Sequence, residues 1–130
     1  MFRKIDEQAL ELAKDLSGRS VIKIKVGAVI YDKNGILFWG WNNPGNGFGD
    51  HAEHMAVRRY LRSYRTGTHS ALCVAVYSSR KGRTITSKPC KNCQEILKLA
   101  GVKEMSYWLK LTDNKDFYLV GMREELHGRV

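Results

Sequence analysis

Two short stretches of this 130-residue chain carry three side chains of the kind zinc prefers. His51 lies in Asp50-His51-Ala52-Glu53, and Cys90 and Cys93 lie in Pro89-Cys90-Lys91-Asn92-Cys93. A catalytic zinc site keeps three protein ligands and leaves its fourth position for water, whereas a structural site wants four. Zinc lowers the pKa of a bound water toward neutrality, which yields a nucleophile able to attack an amidine-like ring carbon. Glu53, two residues after His51, is placed to take a proton from that water and pass it to the ring nitrogen and leaving amine. Alone, H-x-E is common, and Glu53 is as well explained as half of a capping box with Asp50. Its pairing with P-C-x-x-C is what favours catalysis. His54, about one turn beyond His51, reads as a packing residue beside the ligands and not as a fourth ligand. The rival from another class is a structural zinc module whose basic surface binds nucleic acid without chemistry.

The elements that must position these residues follow from periodicity and turn chemistry. Ile5 to Leu16 has the three- and four-residue apolar spacing of an amphipathic helix. Ile24 to Tyr31 and Ile36 to Trp41, joined by Asp32-Lys33-Asn34-Gly35, predict an antiparallel hairpin. Asn42 to Gly49 reads as a loop, and Asp50 as the N-cap of a second helix that ends at Gly67. Leu72 to Ser79 is a continuous apolar run, the pattern of a strand buried on both faces. Arg80 to Lys88 is a basic connection, and Pro89 stands at the first turn of a third helix closed by Gly101. Val102 to Leu109 predicts another strand, Phe117 to Val120 a short last one, and Arg123 to His127 a short helix. The order predicts one domain over residues 1–130: an α/β three-layer α/β/α sandwich around a mixed sheet of about five strands. Both halves of the metal motif then fall at helix N-termini, where amide dipoles favour thiolate and hydroxide.

Composition fits a globular protein, with 43% hydrophobic and 27% charged residues, and no apolar run is long enough to span a bilayer. The N-terminus turns acidic at Asp6-Glu7 before any signal sequence develops, which predicts a cytoplasmic protein with no membrane partner. Three cysteines make poor material for a disulfide framework, and Cys73, inside Ala71-Leu72-Cys73-Val74, reads as a small buried hydrophobe. The net charge is +9, and it is unevenly placed. Nine of the 22 basic residues lie between His54 and Gln94, an interval without Asp or Glu, and the other 13 equal the acids in number. Arg58, Arg62, Arg80, Lys81 and Arg83 within that interval are candidate phosphate contacts. A solvated surface that keeps the protein soluble is the bland alternative.

H-x-E…P-C-x-x-C is the signature of the zinc deaminases. From about Val26 to Leu109 the chain resembles the cytidine deaminase superfamily of nucleoside, nucleotide and polynucleotide deaminases. The resemblance implies a five-stranded sheet with one zinc between two helices, His51, Cys90 and Cys93 as ligands, and Glu53 as proton shuttle. It also implies that the backbone amides of Ala52 and Cys90 help hold base and water. A first-ligand His points to the branch of deoxycytidylate deaminases, tRNA adenosine deaminases and polynucleotide cytosine deaminases. Gly40-Trp41-Asn42-Asn43-Pro44 followed by His51-Ala52-Glu53-His54-Met55-Ala56 looks like the bacterial tRNA adenosine deaminases, and deoxycytidylate deaminases carry a similar G-Y-N loop. Either match implies that Asn42 contacts sugar or base. Ser87-Lys88-Pro89 departs from the Glu-Pro of the tRNA enzymes and from the Ser-Pro-Cys of the polynucleotide enzymes.

Lys88 so near the zinc ligands is a candidate partner for a phosphate, with a solvent-facing lysine as the alternative. Trp39, Trp41 and Phe48 are candidates to stack on a base, although aromatics in such a unit more often pack the core. The expected reaction is hydrolysis of cytosine to uracil with release of ammonia. The pooled basic charge favours single-stranded nucleic acid as substrate; a free nucleotide such as dCMP, and adenosine in tRNA, are the alternatives. Monomer and homo-oligomer stay open.

Overall fold

Along β1 (Ile24–Asp32), Ala28 and Ile30 pack to one side and Val29 and Tyr31 to the other, so the strand is buried between two layers. This is seen in a computed structural model that describes residues 3–44, 51–63, 72–113 and 116–126. The chain turns through Lys33-Asn34 into β2 (Gly35–Trp41), with Asp32 opposite Gly35 and the Asp32 carboxylate accepting the Asn34 amide at 2.8 Å. β3 (Leu72–Arg80) runs antiparallel to β1 and parallel to β5 (Val102–Asp113). β6 (Asp116–Glu125) returns antiparallel along β5. The strand order is β2-β1-β3-β5-β6, with the three-residue β4 (Arg83–Ile85) on the end of β3. Helix α1 (Lys4–Ser17) covers one face; α2 (Ala52–Leu61) and α3 (Lys91–Leu99) cover the other. The expected α/β/α sandwich and mixed sheet are present, with β4 added.

α1 buries Ala9, Leu10, Ala13 and Leu16 against Val29, Tyr31, Ala75 and Tyr77. It lies so close that a Cβ on Gly27 would meet the Ala13 carbonyl at 1.9 Å. Beneath its first turn, Asp6 is fully buried, bonded by Arg3 and by the Tyr31 hydroxyl at 2.5 Å, which also meets Ser106 at 3.0 Å. Cys73 lies in this core as expected, with its thiol 3.4 Å from both Arg3 and Glu104. Burial pushes that thiol up to about 11. No helix among the described residues is long and apolar enough to cross a membrane.

Four expectations are corrected. The N-cap of α2 is His51, not Asp50, so Glu53 stands at the second helical position, and Asp50 lies outside the described residues. α2 stops at Leu61 with Arg62 as C-cap, short of Gly67. The basic connection after Arg80 is a tight hairpin: Lys81 at φ +52° and Gly82 at φ +76° form a two-residue turn closed by Arg80 and Arg83. Arg123 to Glu125 extend β6 and do not form a helix, because they pair in register with Ser106 to Glu104. Phe48, His69 and His127 lie outside the described residues.

Candidate metal centre and active site

Gly40 sets the height of α2 above the sheet. A Cβ there would lie 2.6 Å from the Ala52 carbonyl and 2.8 Å from the Ala56 amide, so only glycine lets the helix start settle on β2. Ala52 and Ala56 are buried at that contact, and His51 caps the helix just before it. On the same face Cys90 is the N-cap of α3, whose one side buries Cys93 and Leu97. Gln94 fixes this entry by donating its side-chain amide to the Pro89 carbonyl at 2.8 Å. The two helix starts therefore meet.

The ligand atoms of His51, Cys90 and Cys93 all lie within 4.8 Å of one another, and Cys93 Sγ is 3.2 Å from His51 Nδ1. Zinc bonds of about 2.3 Å to sulfur and 2.0 Å to nitrogen place tetrahedral ligands roughly 3.4–3.8 Å apart. The cluster is close to that size, with one pair at 3.2 Å and none beyond 4.8 Å. His51 and Cys90 are exposed while Cys93 is buried, so one side of the group is open to water. The His54 ring stacks on that of His51, with centroids 5.0 Å apart and planes at 21°, which orients the imidazole as a packing residue would.

Glu53 is 4% exposed beside this group. Burial raises its carboxyl above the ordinary value, against the lowering influence of its own backbone amide, His51 and Cys93. Burial first, and then Glu53 and Cys90, push the Cys93 thiol up as well. Acidic groups crowded into one buried space call for a cation, and an N,S,S donor set selects zinc among the common metals. The residues fit the metal. A buried carboxyl with a raised pKa is also suited to take up a proton and hand it on.

Residues 3–109 match the cytidine and deoxycytidylate deaminase zinc-binding region. The chain belongs to this family. It is thus a hydrolytic deaminase, and its His-Cys-Cys cluster fits one zinc. Among solved structures, the dCMP deaminase of cyanophage S-TIM5 is 25% identical over 79% of this chain and 81% of its own, with a TM-score of 0.60. That phage enzyme has also been solved with dCMP and dUMP. The cytidine deaminase of Burkholderia pseudomallei shares the fold at 22% identity, covering 88% of this chain and 90% of its own, TM-score 0.59. No curated protein matches the deaminase in sequence.

The remaining candidates do not all converge on the metal. Trp41 belongs to the core on the α1 face, opposite the cluster, with Arg19 at 5.0 Å and Arg59 at 5.2 Å from its ring centre. Along β2 a side chain opposite in phase to Gly40 faces away from α2, which is how Trp41 reaches that core. Asn42 ties β2 to β1, accepting the Val26 amide at 2.9 Å and donating to the Ile24 carbonyl at 2.7 Å. Lys88 is ion-paired with Glu124 at 3.1 Å. Arg58 and Arg62 are exposed, but six and ten residues after Ala52 put them roughly 9 and 15 Å along α2 from its start. Arg80, Lys81 and Arg83 are exposed on the β3–β4 hairpin; Arg80 pairs with Ile24, at the end of the sheet where β2 also finishes. The basic interval is therefore split between two regions. Sequence reasoning missed the packing role of Gly40, which a lone glycine within a strand signals, and missed Glu124, which no local pattern marks.

Proposed function

We propose that this deaminase acts on a free cytosine nucleotide, of which dCMP is the simplest, giving the uracil nucleotide and ammonia. The observation that carries this reading is the division of the basic interval. Lys88 is neutralised by Glu124, Arg59 is spent on Trp39 and Trp41, and Arg58 and Arg62 lie well down α2. Among the described residues, what remains at the site end is Lys91, exposed between the two cysteines, and the compact hairpin with Arg80, Lys81 and Arg83, a small group that suits one phosphate better than a strand of them. The similarity to a phage dCMP deaminase supports the same substrate class.

In this reading His51, Cys90 and Cys93 hold the zinc, which when bound activates water for attack. Glu53 takes one proton from the attacking water and delivers it to the ring nitrogen, then takes the second from the hydroxyl now on the ring carbon and passes it to the leaving amine. Water adds at the ring carbon, the carbon–nitrogen bond breaks, and ammonia departs. The amides of Ala52 and Cys90 face base and water, and Asn42 stays available through its remaining hydrogen-bond capacity. Single-stranded nucleic acid is the second reading, favoured by the net charge of +9.

The test is mass spectrometry of products from cytidine, dCMP, single-stranded DNA and tRNA offered to the zinc-loaded protein. Turnover of dCMP, with a shallow dependence of KM on salt, is expected. Turnover of polynucleotide alone, with a steep salt dependence, would replace this reading with the second.

A further inference from the structure

We propose that Glu124 is a positioning residue for the zinc site, acting through Lys88 and Tyr107 on the 86–90 segment that presents Cys90. Both oxygens of the Glu124 carboxylate are engaged: Oε2 lies 3.1 Å from the Lys88 ammonium, and Oε1 accepts the Tyr107 hydroxyl at 2.5 Å. Tyr107 is 2% exposed in the core beneath α2 and α3, so the carboxylate is anchored to that core. Lys88 stands two residues before the ligand.

Besides this clamp, the segment is held by hydrogen bonds to β5 and by Gln94, which donates to the Pro89 carbonyl at 2.8 Å. Thr86 accepts the Lys110 amide at 2.9 Å, and the Ser87 amide donates to the Trp108 carbonyl at 3.1 Å. Beyond Ser87 this backbone pairing with β5 ends, and the chain must turn away to start α3. Cys93 is held inside that helix and is fully buried. Cys90 is exposed at the N-cap, with no side-chain cap bond of its own. The exposed ligand at the start of α3 is thus the one next to the Lys88–Glu124 clamp.

A half-exposed ion pair contributes little to global stability. Its loss should therefore be felt at the segment it holds and not across the fold. Groups that orient metal ligands from outside the ligand set typically change metal affinity by about 10–100-fold when removed.

The experiment uses the full chain and a competing chromogenic chelator to measure the zinc dissociation constant. Glu124→Ala, Lys88→Met and their double variant are compared with the parent, and Glu125→Ala, an exposed neighbour, is the control. Each clamp variant is expected to weaken zinc binding about tenfold. The double variant should be no weaker than either single one, and the zinc-free melting temperature should be unchanged. If Glu124→Ala does not fold, Lys88→Met at the exposed end of the pair carries the same expectation. Zinc affinity unchanged in Lys88→Met, additive losses in the double variant, or a loss matched by a fall in the zinc-free melting temperature would each overturn the proposal.

Discussion

Cys93 Sγ and His51 Nδ1 stand 3.2 Å apart although 42 residues separate them in the chain. Each is delivered by a separate strand-to-helix passage, so the pair exists only when the sheet is folded. A metal that binds the folded chain alone adds stability by mass action, about 4 kcal/mol when free zinc is a thousand times its Kd. Stripping the zinc should lower the melting temperature, and restoring it should recover the loss. Cys93→Ala should abolish that zinc-dependent increment. Calorimetry with and without metal checks this, and a melting temperature indifferent to zinc in the parent protein would speak against a zinc site.

Glu53 separates catalysis from metal binding. It is buried against the ligands without being one of the three clustered donors. Glu53→Gln keeps the volume and removes the proton carrier, so kcat should fall by about 10²–10⁴ while one zinc per chain is retained. Product formation and metal content, measured on the same preparation, give both numbers. Loss of zinc together with folding would instead favour a structural metal module.

Gly40 couples packing to chemistry. Adding a methyl group there meets backbone atoms of Ala52 and Ala56, which cannot swing aside as a flexible side chain would. Overpacking of this kind costs typically about 1–3 kcal/mol. The same displacement moves the helix start that carries His51 and Glu53. Gly40→Ala should therefore lower both the denaturation midpoint and kcat. Gly101→Ala, in open space after the far end of α3, should cost stability through its positive φ but leave kcat unchanged.

Local patterns made much of this readable from the residues alone. The apolar run at Leu72–Ser79 announced a strand with both faces covered, and the β1–β2 hairpin follows from its flanking periodicity. The metal cluster was legible because its ligand types and spacing are themselves the chemistry. What failed depended on partners far away in sequence. Arg123 to Glu125 became strand because β5 offered them a ladder to complete. The ion-pair partner of Lys88 could not be read because Glu124 comes from β6, far along the chain. The side to which Trp41 points likewise depends on its phase relative to the helix, here set by Gly40.

Asp6 gives a pH dependence that has nothing to do with zinc. Burial opposes its charge, but the bonds from Arg3 and Tyr31 outweigh that and hold the carboxyl below the ordinary carboxylate range. A carboxyl depressed in the folded state contributes stability that is fully present above its unfolded pKa of about 4, and is lost as pH falls through the folded value. Asp6→Asn keeps the shape and removes the charge, so at neutral pH it should destabilise the fold by about 2 kcal/mol. The gap between parent and variant should then narrow steadily below about pH 4. Urea denaturation from pH 7 down to pH 3 measures it. A gap that stays constant across that range would show that the Asp6 charge is not what fastens α1 to the sheet.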